Sequence, residues 1–295
     1  SSMLYLCDMI TRIIYYFIIL PISVLPYSLI YLLSDILYIV MFKIIGYRKS
    51  VVLKNLNNSF PNKSKTEIDH IANRFYRHLC DLILEGIKGF TISKNEIKKR
   101  LVVKNPNIIN DFFNQKRSVI LVGGHYNNWE IFAQGFAISS FHKCIGIYKP
   151  LSNKFLNNKL SKSRSKFGMN LISMKNTVRS FEDNNDTKAI IFGADQNPAN
   201  PKKAHWIKFL NQDTGVLFGT EKFAKKYNWP VIFVNIIKRK RGFYEVELSL
   251  VTDDPINETH GQITEKFTRI LENNIINQPE YWLWSHKRWK HKKQK

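Results

Sequence analysis

The fold of this 295-residue chain is decided by one stretch, Ser118-Val-Ile-Leu-Val-Gly-Gly-His125-Tyr-Asn-Asn-Trp-Glu130. Four apolar residues follow Ser118, and two glycines come directly after them. This order is typical of a buried strand that ends in a turn. The residues after the glycines are compatible with the start of a helix. In sheets built from such units, ligands bind at the carboxyl ends of the strands, so His125 is expected at a binding edge.

Strand-like and helix-like segments alternate downstream of this stretch. Apolar runs that predict strands lie at 144–148, 189–192 and 231–237, and an alternating run at 244–251 indicates a strand nearer an edge. Helical patterns lie between them, at 153–167, 216–227 and 258–276. The alternation predicts an α/β domain with a mostly parallel central sheet flanked by helices.

Two helices are predicted upstream of the first strand. Apolar residues at helical spacing begin at Val51, and Pro61 ends that helix. Ser64 and Glu67 have the spacing of a capping box, which predicts a second helix that runs to about Phe90.

The N-terminal region is the most apolar part of the chain. Residues 13–33 form a stretch long enough to cross a hydrocarbon core of ~30 Å. Pro21 and Pro26 predict a kinked or re-entrant segment instead of one straight helix. We therefore expect a helical membrane anchor over residues 1–45 and a separate globular domain over residues 46–295. A pair of buried core helices is the alternative.

The overall charge limits the classes of partner. Lys and Arg number 45 against 23 Asp and Glu, which gives a net charge of +22. Such a charge attracts nucleic acid, anionic lipid or an acidic protein. No zinc finger, helix-turn-helix or aromatic RNA-binding motif is evident, so a nucleic-acid partner is not expected. The three cysteines are far apart and lack metal-ligand spacing, so neither a disulfide framework nor a metal site is expected.

His125 and Glu130 are the candidate catalytic residues. If a helix begins just after His125, the Glu130 carboxylate lies about one turn further on and reaches back to one imidazole nitrogen. The other nitrogen then faces the cleft as a base. Alternatively, His125 caps the helix and Glu130 lies on a solvated face. A serine hydrolase is not expected, because no Gly-x-Ser-x-Gly motif is present.

Several blocks resemble one known family in the right order. The His125-x4-Glu130 block resembles the histidine-x4-acid motif of glycerolipid and lipid A acyltransferases. The further matches are Tyr47-Arg48, Asn55-Leu56 with Phe60-Pro61, Tyr148-Lys149-Pro150, Arg164 with Gly168, Ala194-Asp195-Gln196, and Trp282-Leu-Trp284-Ser-His286-Lys-Arg288-Trp289. Together they resemble the lipid A late acyltransferase (lauroyl/myristoyl transferase) family of the lysophospholipid acyltransferase superfamily, over nearly the whole chain. The Glu-Gly-Thr-Arg block that holds glycerol phosphate is missing, which disfavours a glycerol-3-phosphate or lysophosphatidate acceptor.

The resemblance implies an O-acyltransferase of lipid A and lipopolysaccharide biosynthesis. The implied donor is an acyl thioester of acyl carrier protein, and the implied acceptor is a hydroxyl of a lipid A precursor. Another membrane lipid, such as a lysophospholipid or aminolipid, remains an alternative acceptor. His125 would be the general base and Glu130 its orienting acid, with substrate contacts from Arg164, Asp195, Lys149, Gln196 and Asn128. No cofactor or metal is expected. The implied location is the bacterial inner membrane, with the active site facing the cytoplasm. A lipid-binding protein with a dead site is disfavoured by the intact His125 and Glu130.

Overall fold

The computed structural model describes residues 2–182 and 186–293. The N-terminal half contains α1 (Ser2–Ile14), α2 (Leu20–Val24), α3 (Tyr27–Tyr38), α4 (Lys49–Ser59), α5 (Lys65–Lys88), α6 (Lys94–Arg100), β1 (Leu101–Val103), α7 (Asn107–Asn114), β2 (Val119–Gly123) and α8 (Trp129–Gly135). The C-terminal half contains β3 (Lys143–Tyr148), α9 (Lys154–Ser165), β4 (Asn170–Ser173), α10 (Thr177–Glu182), β5 (Lys188–Gly193), β6 (His205–Phe209), β7 (Gln212–Val216), α11 (Gly219–Tyr227), β8 (Val231–Lys240), β9 (Phe243–Thr252) and α12 (Gln262–Asn277). The last two residues of the basic tail, and Ser1, lie outside the described residues.

A seven-stranded sheet in the order β1-β9-β8-β2-β5-β3-β4 forms the centre of the protein. All of its neighbouring strands are parallel except β8 and β9, which are antiparallel. The predicted mostly parallel α/β sheet is therefore confirmed. Strands β6 and β7 form a separate antiparallel hairpin.

Strand β2 is buried on both faces of the sheet. Ile120 and Val122 belong to one apolar cluster, whereas Val119 and Leu121 belong to the cluster on the opposite face. Successive side chains of a strand point to opposite faces, so a continuous apolar run is what a central parallel strand requires. The predicted helix with a capping box is also present, because Ser64 and Glu67 cap α5 reciprocally.

The N-terminal region is a series of short helices rather than one long helix. Two π-helical turns belong to this series: Tyr15–Ile19 joins α1 to α2, and Ile39–Ile44 extends α3. The helix is interrupted at Leu25, and Pro26 precedes α3 in an extended conformation. The predicted interruption is therefore present at Pro26, while Pro21 fits into the first turn of α2. Within the described residues, the helix that is long and apolar enough to cross a membrane is Tyr27–Ile44, of which 17% is buried.

Candidate active site

The register of the central strands brings His125 and Asp195 together. Gly123 of β2 is paired with Gly193 of β5 in a parallel ladder. Each of these glycines is followed two residues later by a functional side chain, His125 on one strand end and Asp195 on the other. The imidazole Nδ1 lies 2.7 Å from the Asp195 Oδ1. Two neighbouring parallel strands thus deliver a histidine and an acid to the same edge of the sheet.

Asp195 is buried and accepts three hydrogen bonds. The backbone N–H of His125 donates to Oδ2 at 2.7 Å, and the Trp282 indole N–H donates to the same oxygen at 2.8 Å. The third partner is the His125 ring at Oδ1. Burial raises the pKa of a carboxyl, but the His125 charge and these hydrogen bonds outweigh it and lower the pKa of Asp195 to about 2. Asp195 is therefore a carboxylate whenever the protein is folded near neutral pH.

His125 is held so that one nitrogen faces Asp195 and the other faces the Gln196 amide at the cavity. Because Asp195 is ionised, Nδ1 carries the proton and donates it, which leaves Nε2 as an acceptor. The Gln196 Nε2 lies 3.1 Å from this atom, and 24% of the His125 side chain is exposed. Burial lowers the pKa of the imidazole, but the charge of Asp195 and its hydrogen bond raise it above the ordinary value. The ring is thus arranged as a base whose protonated form is stabilised.

Glu130 is held by Arg164 rather than by His125. Two guanidinium nitrogens of Arg164, Nε and Nη2, lie 2.9 and 2.5 Å from the Glu130 carboxylate oxygens. In place of the hydrogen bond expected between Glu130 and the imidazole, the imidazole donates one to Asp195. The reason is local geometry: α8 begins at Trp129, after a turn that includes Asn127 with φ of 54°. This start directs Glu130 toward α9, although its charge still helps to raise the pKa of His125.

Asn128 supports the site from behind. Its side-chain oxygen accepts a hydrogen bond from the backbone N–H of Ile131 and so caps α8. Its amide nitrogen donates to the Glu85 Oε2 at 2.6 Å, and Tyr244 donates to the same oxygen at 2.7 Å. Both polar groups of Asn128 are therefore engaged within the protein, and the structure gives it a capping contact where the sequence suggested a substrate contact.

A cavity of about 320 Å³ opens in front of His125. Four of the other predicted site residues line it, namely Glu130, Lys149, Arg164 and Gln196, whereas Asp195 lies behind the imidazole. The remaining lining is largely apolar and includes Trp129, Phe132, Met169, Leu171, Ile191 and Val234. The polar groups thus gather at the strand ends, and the apolar walls suit a hydrocarbon chain. Within residues 2–182 and 186–293, no group of three or more His, Cys, Asp or Glu side chains is arranged to hold a metal ion.

Comparison with known proteins assigns the family. The model described as "Bacterial lipid A biosynthesis acyltransferase" matches residues 1–291. The chain belongs to this family. It is 20% identical over 267 residues to the lipid A biosynthesis palmitoleoyltransferase of Escherichia coli K12, covering 90% of this chain and 86% of the relative. The Shigella flexneri lipid A biosynthesis acyltransferase gives the same figures. The lipid A biosynthesis lauroyltransferase of Escherichia coli K12 is 21% identical over 271 residues, with 90% of this chain and 87% of the relative covered. The protein is thus an acyltransferase enzyme.

The glycines of the strand ends make room for the histidine–aspartate pair of the acyltransferase. A Cβ on Gly124 would lie 3.1 Å from the Asp195 Oδ2 and 2.8 Å from a Leu271 methyl carbon. A Cβ on Gly193 would lie 3.2 Å from the His125 Cε1. In the sequence, these glycines indicated only a turn at the end of a strand. The structure shows that they let the two strand ends approach each other.

The C-terminal segment of the acyltransferase completes the site, which sequence reasoning did not foresee. Trp282 pairs with Tyr126 in an antiparallel bridge and donates its indole N–H to Asp195. Arg288 is buried and donates to the backbone oxygen of Gly215. Burial lowers the pKa of Arg288 to about 10, against the opposing effect of the Asp195 charge. The available signal was the tryptophan-rich and basic ending, which the sequence analysis matched to the family without giving it a role at the site.

Proposed function

We propose that the acyltransferase moves a fatty acyl chain from an acyl carrier protein thioester to a hydroxyl of a lipid A precursor, with His125 as the general base. The family assignment supports lipid A chemistry. The observation that carries the mechanism is the His125 imidazole, held at Nδ1 by a buried carboxylate and open to an apolar-walled cavity at Nε2. This is a base with an orienting acid and without a protein nucleophile.

In the proposed reaction, the acceptor hydroxyl takes the position in front of His125 that the Gln196 amide now occupies. Nε2 removes the hydroxyl proton as the oxygen attacks the thioester carbonyl carbon. The ionised Asp195 stabilises the imidazolium that forms, because its pKa lies far below neutral pH. The carbon–sulfur bond then breaks, and the thiolate takes the proton back from Nε2. General-base catalysis of this kind contributes ~10²–10⁴-fold to the rate.

Arg164 and Lys149 supply positive charge at the cavity. Glu130 fixes the Arg164 guanidinium by two hydrogen bonds, so the arginine is held ready before substrate arrives. An anionic group of either substrate, such as a phosphate of the lipid acceptor or of the phosphopantetheine arm, suits this environment. We therefore assign Glu130 to positioning Arg164 and to favouring the protonated His125, and Asp195 to orienting the base.

The acceptor is tested by mass spectrometry of lipids from cells with and without the gene. The proposal predicts that lipid A loses one acyl chain in the deletion strain, and that the wild-type gene restores it while the His125→Ala gene does not. Intact lipid A together with loss of an acyl chain from a glycerophospholipid or an aminolipid would overturn the proposed acceptor.

The donor is tested through the basic surface of α9. Lys154 and Lys162 are exposed on this helix, which also carries Arg164. Acyl carrier proteins are acidic, and complementary charges speed association most at low salt. Reversal of both lysines to glutamate should raise the apparent KM for the carrier thioester, whereas reversal of Lys98 and Lys99 on α6 provides a matched control.

Salt separates the donor proposal from a purely membrane role of the charge. Exposed charges are screened over ~8 Å at physiological ionic strength. With the acceptor in detergent, KM for the carrier thioester should rise with salt, while KM for a small uncharged thioester should stay constant. Carrier KM values that respond neither to salt nor to the α9 reversals would contradict acyl carrier protein as the donor. We place the enzyme at the inner membrane with the cavity on the cytoplasmic side, where such a carrier is available.

A further inference from the structure

The N-terminal segment, residues 8–47, lies against the rest of the protein from one end to the other. Its contacts are spread along its length and include the backbone oxygen of Leu25, before α3, and that of Tyr47, after the π-helical turn Ile39–Ile44. Those contacts are Thr11 with the Asn153 amide at 3.0 Å, the Leu25 oxygen with the Lys88 ammonium at 2.7 Å, and the Tyr47 oxygen with the Tyr76 hydroxyl at 2.5 Å. A segment docked in this way is part of the folded domain as well as a candidate anchor.

A charged cluster holds the C-terminal half of α3 against the domain. The Arg241 Nη2 lies 2.7 Å from the Asp35 Oδ1 and 2.7 Å from the Asp81 Oδ1. The Ser34 hydroxyl donates to the same Asp81 oxygen at 2.8 Å. Arg241 lies in the turn between β8 and β9, and Lys238 also pairs with Asp81 at 3.3 Å. The inner side of α3 is therefore bound to a cationic hairpin.

The outer side of the same segment is apolar and open. Phe17 is 77% exposed, Ile44 is 73% exposed and Ile45 is 67% exposed. Other exposed apolar side chains accompany them on α1 to α3 and the two π-helical turns, at Met9, Ile10, Ile13, Ile14, Ile18, Val24, Leu29, Leu32, Ile36 and Ile39. Most of the large apolar side chains that are exposed in the described residues belong to this region. A continuous surface of this kind on one side of a protein marks an interaction site.

The charged cluster opposes a simple membrane crossing by the helix Tyr27–Ile44. Asp35 lies at the middle of that helix, so a crossing would place it at the bilayer centre. Its partners Asp81 and Arg241 would have to follow it into the hydrocarbon core, or the helix would have to leave them. Charges at the bilayer centre are costly in either case.

We propose that this surface enters one leaflet of an anionic phospholipid bilayer and that no part of the N-terminal segment crosses the membrane. The apolar outer side rests among the acyl chains, and Arg12, Lys43 and Lys49 lie in the same segment or directly after it to meet anionic headgroups. The polar inner side stays on the protein, so both ends of the segment remain on the side of the membrane that holds the catalytic domain.

The docking also places the cavity near the lipid. Arg12 lies over the Phe155 ring at 4.8 Å, and the Lys159 ammonium lies 3.2 Å from the Tyr16 hydroxyl. Phe155 and Lys159 both belong to α9, and the same helix carries Arg164 at the cavity wall. A lipid acceptor therefore reaches the cavity from the leaflet on which the enzyme rests.

The topology is tested by labelling single cysteines in a Cys7→Ser background with a membrane-impermeant maleimide. The other two cysteines, Cys80 and Cys144, are buried. The probes are Ser2→Cys before the segment, Val24→Cys at the break and Lys54→Cys in the catalytic domain. In spheroplasts none of the three should react, and in inverted vesicles Ser2→Cys should react as Lys54→Cys does. Detergent solubilisation verifies that each cysteine is reactive.

Reaction from the opposite side would overturn the proposal. Labelling of Ser2→Cys in spheroplasts would indicate a single crossing by Tyr27–Ile44, and labelling of Val24→Cys would indicate a spanning helical hairpin. Neither result depends on the acyl transfer reaction, so this test is independent of the proposed function.

Binding to the leaflet is tested by flotation with vesicles that contain phosphatidylglycerol. The triple variant Phe17→Ser, Leu32→Ser and Ile36→Ser should reduce vesicle binding by roughly tenfold or more, because membrane affinity scales with the apolar area that enters the interface. The matched control Phe141→Ser, Ile256→Ser and Ile276→Ser changes side chains of similar exposure elsewhere and should bind as the wild type does. Equal binding of the two triple variants, with both folded by circular dichroism, would contradict the assigned surface.

Discussion

Asp195→Asn is the substitution that separates the roles of the two acids. The Asp195 Oδ2 accepts from two fixed N–H donors, the His125 backbone and the Trp282 indole. An asparagine must therefore place its oxygen at that position and its NH₂ group toward Nδ1. Nδ1 then becomes an acceptor, and the ring proton moves to Nε2, the nitrogen that has to remove the substrate proton.

The magnitude follows from the charge that is lost. The pKa of Asp195 lies at about 2 against an ordinary 3.8, which corresponds to about 2 kcal/mol in favour of the carboxylate. Part of this stabilisation comes from the charge of His125, so its loss lowers the rate by up to about 30-fold. The wrong tautomer removes much of the remaining base catalysis, so kcat should fall by ~10²–10⁴-fold in total.

The assay is the initial rate of acyl transfer to a detergent-dispersed lipid A precursor, with circular dichroism to verify folding. Asp213→Asn makes the same chemical change at an exposed residue that pairs with Lys208, and it should leave kcat unchanged. A kcat for Asp195→Asn close to that of the wild type, together with a large loss in Glu130→Gln, would refute the reasoning. It would assign the orienting role to Glu130, as the sequence alone suggested.

Three further outcomes follow from the same geometry. Glu130→Gln and Arg164→Gln should each lower kcat/KM, and the double variant should lower it little further, because the two side chains act as a pair. Additive losses of kcat/KM would contradict this pairing. The acidic limb of the kcat/KM profile should lie above pH 6.5, because the base must be neutral and the pKa of His125 is raised. This limb should move to lower pH in Asp195→Asn, and a flat profile from pH about 5.5 to 8 would count against His125 as the base. Gly124→Ala should lower the free energy of unfolding by about 1–3 kcal/mol in denaturant titrations and reduce kcat, because its methyl group would press on the Asp195 carboxylate. Unchanged stability and kcat would show that the His125–Asp195 pair tolerates displacement.

Hydrophobic patterning predicted the sheet because its central strands are buried on both faces. The apolar run after Ser118 and the later runs near 144, 189 and 231 are confirmed as β2, β3, β5 and β8. Two short strands of the sheet, β1 and β4, escaped the prediction because three or four residues carry too little periodicity. The β6–β7 hairpin escaped it because Gln212, Asp213, Thr214 and Gly215 are not an apolar run.

The sequence predicted which residues form the site better than it predicted the hydrogen bonds between them. Sequence spacing measures distance along one chain, and it favoured a bond between residues five apart. The bond that forms joins the ends of β2 and β5, because those strands are neighbours in the sheet order. Strand order depends on long-range packing, which no local pattern encodes. The φ of 54° at Asn127, which delays the start of α8, is equally hidden in the sequence.

The N-terminal segment shows a similar division. Its apolar composition and the interruption at Pro26 were predictable from the sequence. Its docking was not, because Asp35 looks like an isolated charge until the β8–β9 turn brings Arg241 beside it. The predicted boundary at residue 45 remains a prediction, although the contacts along the segment show that it packs on the domain that follows.

The central claim is that His125 is the base of a lipid A acyltransferase, and the most direct test is the transfer rate of His125→Ala. Purified wild-type and variant proteins are supplied with an acyl carrier protein thioester and a lipid A precursor, and the acylated product is quantified by mass spectrometry. His70→Ala removes an exposed histidine and serves as the control. We predict that His125→Ala folds normally and loses transfer by ~10²-fold or more, while His70→Ala retains full activity. A folded His125→Ala enzyme that keeps more than about a tenth of the wild-type rate would contradict the account.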